Sequence, residues 1–589
     1  MSPGATRAAA LAAVIAILAA PGLVSPFTVT LLNYIGVYSL VAVGLSLLTG
    51  VGGLVSFGQA AFVGLGAYAT AWTTVVEGQS PWLGLLLAIV VSCGVAAALG
   101  LLTLRLKGHF LSISTLAWGL AIGFLFGNID ALGNHDGLSG LPSITLGPWT
   151  LTRSDHIYYL IWPVVIVAAV LAQNLLDSRM GRAMRALRGG PLLVESLGID
   201  PFRIRLTIFV IAALLCAISG WLQAHLARFV SPSPFDVSMG IEYLMMAMVG
   251  GAASPIGGVV GAALIAGLKN EIQDYLPLIA KGASGPLELV AFSAAFIVFL
   301  QRARDGVVPF LARRLPRPQP PPLSAAPALP RRPQPPPGAP LLDVRAAERR
   351  FGGLAAVDKL SFDVKAGEIV GLIGPNGAGK STMFNLLTGA IGLTSGSIVL
   401  AGAEIRGRAQ FRIARAGVAR TFQHVKLRPN MNVLDNVLLG AHGRLSSGIF
   451  RGTFRLNRAE EASARFEAMR QLERVGLASR AFDAAGALPL GSQRVAEIAR
   501  ALIADPILLV LDEPAAGLRR PEKLALAELL RSLRAEGLTV LIVEHDMDFV
   551  MGLVDRLVVM DFGVKLREGS PGEVRADPRV QEAYLGGAP

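Results

Sequence analysis

The chain has 589 residues, 53% of them hydrophobic and only 16% charged, where ordinary soluble domains carry about 25% charged residues. That length excludes a single core, and the charge deficit excludes a wholly soluble protein. The net charge of +12 does not mark a nucleic-acid binder: much of the excess lies in short loops beside apolar runs and in a proline-rich stretch, where Arg and Lys mark the cytoplasmic side of a membrane protein. Cys93 and Cys216 both sit inside apolar runs, too few for a disulfide framework or a zinc site. The composition divides the chain into a transmembrane domain (1–305), a proline-rich linker (306–340) and a charge-bearing soluble α/β domain (341–589).

A bilayer core of about 30 Å takes roughly 20 apolar residues as helix. Candidate spans are Ala8–Val24, Phe27–Leu48, Leu54–Val75, Pro81–Leu104, Phe110–Phe126, Ile157–Leu176, Leu206–Val230 and Leu287–Leu300. The first is expected to be a retained helix, although Arg7 and the small pair Ala19-Ala20 also fit a signal peptide. Arg105, Lys107 and His109 mark one loop as cytoplasmic, and Arg179, Arg182, Arg185, Arg188, Arg203 and Arg205 another. One further apolar stretch, Met239–Leu268, breaks this parity if it crosses once. Its middle, Gly250 to Gly258 with Pro255, is a poor helix interior. A broken or re-entrant hairpin restores parity and makes Glu242–Gly261 a candidate translocation path, and a proline-kinked packing helix is the alternative. Gly52, Gly53, Gly58, Gly64 and Gly66 permit close helix packing. Gln59 is expected to make a helix–helix hydrogen bond rather than line a pathway. The basic loop Asp177–Arg205 reads as an amphipathic helix, lying on the membrane surface or docking in a groove of the soluble domain.

Pro316–Pro340 reads as a semi-rigid polyproline II tether, with a proline-binding module's ligand as the alternative. Beyond it, the apolar run Ile369–Ile373 leads into Gly374-Pro375-Asn376-Gly377-Ala378-Gly379-Lys380-Ser381-Thr382. This pattern cradles phosphates: backbone N–H groups turn inward, Lys380 meets the β/γ-phosphates and the Ser381 hydroxyl meets Mg²⁺. The following helix aims its positive end at the same phosphates. Ile507–Leu511 is a buried strand ending in Asp512-Glu513, carboxylates placed to hold a magnesium shell and to polarise attacking water. Leu538–Val543 ends in Glu544-His545, where His545 is placed to reach a γ-phosphate. Gln423 opens a loop as a Mg²⁺ sensor or a turn cap. Phe351, at a first strand's end, stacks on adenine or fills a core.

In that order these residues resemble the motif set of an ATP-binding-cassette (ABC) domain. The resemblance implies an all-α polytopic membrane domain followed by an α/β P-loop ABC nucleotide-binding domain. Phe351 resembles the adenine-stacking aromatic, Gly374–Thr382 the Walker A loop and Gln423 the Q-loop glutamine. Asp512 and Glu513 resemble the Walker B aspartate and catalytic glutamate, and His545 the switch histidine. Gly491 and Ser492, in Leu488-Pro489-Leu490-Gly491-Ser492-Gln493-Arg494, occupy the signature position, usually Leu-Ser-Gly-Gly-Gln. The resemblance implies ATP and Mg²⁺, with Ser381, Gln423 and Asp512 toward the metal and Glu513 and His545 catalytic.

A narrower resemblance rests on Phe351–Leu354, Arg420–Gln423, Asn436–Arg474, Glu497–Ala501 and Val580–Gly586, which look like the ATPase subunit of branched-chain amino-acid importers. Gly44–Tyr68, Asp136–Pro142, Gly181–Gly198, Phe229–Pro232 and Met248–Ala263 look like a permease subunit of the same system. In such importers Gly181–Gly198 would dock on an ATPase. The chain thus resembles a fusion of two subunits, inserted in lipid at the bacterial inner membrane with its ATPase domain cytoplasmic. It implies a second permease, a second ABC ATPase and an extracytoplasmic solute-binding protein as partners, and uptake of a branched-chain amino acid or related small amphipathic solute. Two other readings are an ABC exporter half-transporter and a non-transporting ATP-binding scaffold. Pro489, Leu490 and Ser492 depart from the general signature, and Gly517-Leu518-Arg519-Arg520 from the usual D-loop. Cassettes of this family pair head to tail, so the phosphate loop here is expected to close on a signature donated by another chain.

Overall fold

A computed structural model describes residues 12, 14–106, 109–279, 285–303, 305–314 and 325–585. Part of the expected first span (Ala8–Leu11 and Ala13), Lys107, residues 315–324 of the linker and Gly586 lie outside them. The chain forms two compact units. One comprises Met1–Arg188, Phe202–Pro320 and Gly452–Arg455; the other comprises Gly189–Pro201, Pro321–Arg451 and Leu456–Pro589.

Among the described residues of the first unit, five helices are long and apolar enough to cross a membrane: Pro26–Val51, Pro81–Thr103, Phe110–Asn128, Ser154–Leu176 and Pro201–Ala227. Local chemistry sets where they start. Ser25 and Ser80 accept hydrogen bonds from the amides of Thr28 and Trp82, with Pro26 and Pro81 at the first helical position. The expected span Leu54–Val75 is displaced. Residues 52–58 are not helical, and the helix begins at Gln59 and ends in a π-helical turn, Trp72–Val76. This irregular backbone is held by protein: the Phe57 amide donates to Thr115 Oγ1 at 3.3 Å and Ser112 Oγ donates to the Val55 carbonyl at 3.2 Å. Gln59 bonds across helices, its Oε1 accepting from Cys216 Sγ at 3.2 Å.

The stretch expected to break does so. Val237–Gly251 and Pro255–Leu276 are bent by 117° at their junction, with Pro255 at a helix start, where its missing N–H costs nothing. The two helices touch through glycine: a Cβ on Gly250 would lie 1.6 Å from the Gly257 carbonyl oxygen. Lys269 and Glu242 pair across the hairpin at 2.7 Å.

The second unit holds two sheets. The strands are β1 (Pro340–Phe351), β2 (Leu354–Lys365), β3 (Ile369–Ile373), β4 (Ser395–Leu400), β5 (Ala403–Glu404), β6 (Val418–Arg420), β7 (Leu508–Asp512), β8 (Thr539–Val543), β9 (Arg556–Asp561) and β10 (Val564–Gly569). An antiparallel sheet runs β2-β1-β4-β5 and a six-stranded sheet β6-β7-β8-β3-β9-β10, parallel except for the last pair. The parallel strands are buried on both faces, as continuous apolar runs require. With side chains alternating, Leu508 and Val510 face a cluster shared with Leu342, Phe362 and Phe384, while Leu509 and Leu511 face one shared with Leu526 and Leu530. A third cluster, with Val433, Val437, Leu472 and Ala499, forms a helical lobe. Ahead of the expected polyproline tether Val307–Ala312 is helical, and within the tether Leu329, 6% exposed, joins the helical lobe's cluster, so that segment is held rather than free.

Candidate functional site

Parallel strands place their carboxyl ends on one edge, where ligands of such sheets bind. β3 there delivers the loop Gly374–Gly379. At Gly379 φ is +97°, and a Cβ would meet the Ala356 carbonyl oxygen at 2.2 Å, so only glycine fits. The helix Lys380–Leu387 follows at once. Lys380 Nζ donates to the carbonyls of Gly374 and Pro375 at 2.7 and 2.8 Å. Burial lowers its pKa, opposed by the nearby charges of Glu513 and Asp512.

β7 ends on Asp512, whose amide donates to Thr421 Oγ1 at 3.2 Å. Asp512 Oδ2 lies 3.4 Å from Arg420 Nη2, and Oδ1 is buried without a hydrogen-bond partner. Burial raises this carboxyl's pKa, with Arg420 the main opposing charge. Arg420 is anchored in turn on the phosphate-loop helix, donating to Asn385 Oδ1 at 2.7 Å and Thr388 Oγ1 at 3.0 Å.

Glu513 adopts φ +48°, a conformation that costs a non-glycine residue about 1–3 kcal/mol and persists where the surroundings enforce it. Its amide donates to the Val543 carbonyl at 2.9 Å, and its carbonyl accepts from Arg494 Nη1 at 2.7 Å. Gln423 Nε2 lies 3.2 Å from both carboxylate oxygens, and His545 Nε2 is 3.0 Å from Oε1. Gln423, Glu513 and His545, drawn from the ends of β6, β7 and β8, are therefore brought together. Glu544, buried and with its pKa raised by burial, fixes the neighbouring turns by accepting from the amides of Ala515 at 2.6 Å and His545 at 3.1 Å.

Other expected residues sit apart from this trio. Phe351 ends β1, the residue 48% exposed and the Arg349 guanidinium 4.6 Å from its ring centroid. Gly491 and Ser492 open the helix Leu490–Leu502, beside Leu518 and Glu522 at a groove of about 430 Å³. Ser381 is exposed in the first turn after Lys380.

The structure adds residues that pattern reading missed. Arg494 also donates to the Gln423 carbonyl at 3.2 Å, so it ties the signature-position helix to two site residues. Glu497 and Arg500 form a buried pair at 2.7 Å. The pair holds the Gln423 loop: the Lys426 amide donates to Glu497 Oε1 at 3.1 Å, and Arg500 Nη1 donates to the Lys426 carbonyl at 2.7 Å. The available signal was three charges, at 494, 497 and 500, on one side of a helix with an apolar interior.

Residues 27–301 match the family model described as branched-chain amino acid transport system / permease component. Residues 357–516 match ABC transporter, and 568–589 branched-chain amino acid ATP-binding cassette transporter. The chain is 46% identical over 252 residues to the high-affinity branched-chain amino acid transport ATP-binding protein LivG of Salmonella typhimurium, covering 42% of this chain and 99% of that one. It is 44% identical over 252 residues to BraF of Pseudomonas aeruginosa, with the same coverage. A crystal structure of a nucleotide-free ATP-binding cassette from an ABC transporter aligns with 30% identity over 42% of this chain and 99% of that one, at a TM-score of 0.37.

Proposed function

Because the chain belongs to the branched-chain amino-acid ABC transporter family, with that family's permease and ATP-binding cassette in one polypeptide, we propose that it drives uptake of a branched-chain amino acid or a related small amphipathic solute. It works as the fused subunit of a binding-protein-dependent importer. The partners are a second permease, a second cassette and an extracytoplasmic binding protein. The membrane half lies in the inner membrane and the cassette faces the cytoplasm. The observation that carries the catalytic part is the convergence of Gln423 and His545 on Glu513, one residue past the buried Asp512.

The backbone of Gly374–Gly379 and the ammonium of Lys380 bind the phosphates of ATP, and Phe351 stacks on the adenine. Lys380 exchanges its loop carbonyls for phosphate oxygens when nucleotide enters. The unpartnered Oδ1 of Asp512, the Ser381 hydroxyl and the Gln423 amide are oxygen ligands of the kind Mg²⁺ takes alongside phosphates. Bound there, Mg²⁺ neutralises phosphate charge. Glu513 polarises the attacking water, and His545, oriented by its backbone bond to Glu544, holds the Glu513 carboxylate and reaches the γ-phosphate. Gly189–Pro201, which belongs to the cassette's compact unit, is the coupling piece. Gln410 Nε2 donates to the Leu192 carbonyl at 3.4 Å and Arg415 Nε to the Gly198 carbonyl at 2.8 Å.

The test is uptake of labelled leucine, isoleucine and valine into vesicles carrying this chain and its partners, with and without the binding protein. ATP-dependent uptake that needs the binding protein and vanishes with Glu513→Gln is expected. Uptake without the binding protein, or equal turnover in the variant, contradicts the reading.

A further inference from the structure

The cassette holds the end of its own linker in a fitted groove. Residues 325–339 form neither helix nor strand, yet a short part of them is pinned at every step. Leu329 is buried in the helical lobe's cluster with Val433, Leu434 and Val437. Arg444 Nη2 donates to the carbonyls of Leu329 and Pro330 at 3.2 and 2.8 Å, and its Nη1 to that of Ile503 at 2.9 Å. The Arg332 amide donates to Asp505 Oδ2, Arg332 Nη2 to the Arg415 carbonyl at 3.0 Å, and Gln334 Nε2 to the Pro506 carbonyl at 3.2 Å. Proline lowers the entropy lost on binding, because its backbone is already extended.

Arg332 has a seat shaped for it. At Gly417, φ is +117° and a Cβ would lie 2.1 Å from Arg332 Nη1, so the guanidinium occupies the space a side chain there would need. Arg415 is shared: its carbonyl accepts from Arg332, while its Nε donates to the Gly198 carbonyl at 2.8 Å. Gly198, Arg332, Arg415 and Arg420 line one small cavity of about 20 Å³. β6 starts just after Gly417 and ends on Arg420, which pairs with Asp512.

We propose that Leu329–Gln334 is a strap and that Arg332 is a positioning residue, holding Arg415 and through it the seat of Gly189–Pro201. The fused linker then belongs to the path between ATP turnover and transport. This rests on reading Gly189–Pro201 as the coupling piece. Removing the Arg332 guanidinium takes the outside donor from the Arg415 carbonyl at the end of its helix and empties the space beside Gly417, so the donor to the Gly198 carbonyl is held less firmly while the phosphate loop, Asp512 and Glu513 keep their partners.

The experiment uses the full chain with its partners and compares wild type with Arg332→Ala, Arg332→Lys and Arg331→Ala, the last as a neighbour that makes none of these contacts. Two readouts are taken: solute transported per ATP hydrolysed in vesicles, and hydrogen–deuterium exchange of residues 192–198 and 415–420. Arg332→Ala should lower the transport-to-hydrolysis ratio at least threefold and speed exchange in both segments. Arg332→Lys, which keeps a cationic donor on a shorter side chain, should recover part of each, and Arg331→Ala should change neither. Unchanged exchange at 192–198 in Arg332→Ala overturns the strap, and so does a ratio equal to wild type. A wild type that shows no ATP-driven uptake while Arg332→Ala speeds exchange contradicts the importer reading and leaves the strap's hold on the seat supported.

Discussion

On the phosphate face of the cassette, side chains from the ends of neighbouring parallel strands hold one another in place. Gln423 and His545 meet on Glu513, Arg420 bridges Asp512 to the phosphate-loop helix, and Glu544 fixes the turns behind them. On the signature face, Pro489 caps a helix with no side-chain hydrogen bond, Leu490 is 53% exposed, and Gly491 borders an open groove. One face is over-determined by its own chain; the other offers the first turn of an uncapped helix, with Gly491 and Ser492 half-buried beside the groove. Preorganised electrostatics do most of the catalytic stabilisation in such sites, so this chain's contribution to hydrolysis should reside on its phosphate face.

The largest effect that can break this contrast is loss of the Glu513 carboxylate. Glu513→Gln should lower phosphate release by the full complex at least ~10²-fold, within the usual range for a general base, while a nucleotide-binding titration stays near wild type. Next comes the anchor behind the Gln423 loop. Arg500→Met strands Glu497 in the core and should destabilise the protein by ~3–5 kcal/mol in denaturant unfolding, whereas Glu497→Leu with Arg500→Met should recover only part of that loss, because the Lys426 amide and carbonyl still lack the partners that hold the Gln423 loop. A single variant as stable as wild type would remove the pair from the account.

Arg494 joins the two faces by donating to the carbonyls of Glu513 and Gln423. Arg494→Ala should lower kcat about tenfold at little-changed KM for ATP, since charged hydrogen bonds are worth ~1.5–3 kcal/mol. The smallest effect is expected at the signature position itself. Ser492→Ala should change steady-state hydrolysis by about twofold or less, the scale of an ordinary surface substitution of ~0.5 kcal/mol. A hundredfold loss there would show that this face works.

Much of the phosphate face was legible in the sequence, because its parts are local. A strand, a glycine loop and a Lys-Ser pair lie within consecutive residues, and an acidic pair or a histidine at a strand end needs only the strand to be recognised. The hinge at Gly250–Pro255 was legible for the same reason, being written in residues that cannot continue a helix. What escaped depends on partners far along the chain. Arg420 read as part of a short motif, and only the fold brings Asp512 and Asn385 to it. The break at residues 52–58 looked like the start of an apolar span, since hydropathy does not register the hydrogen bonds from Ser112 and to Thr115 that hold it. The linker's prolines suggested a semi-rigid tether between the two halves; the groove that grips Leu329 and Arg332 is assembled from residues between 415 and 506.

The contrast between the two faces is tested most directly by altering one at a time within the assembled transporter. In vesicles containing this chain with the partner subunits and binding protein proposed for it, labelled solute uptake and phosphate release should be measured together for Glu513→Gln and, separately, for Ser492→Ala. The account predicts that the first abolishes both signals and that the second leaves both within about twofold of wild type, the scale of a surface change. Persistent uptake in Glu513→Gln, or its loss in Ser492→Ala, would contradict it.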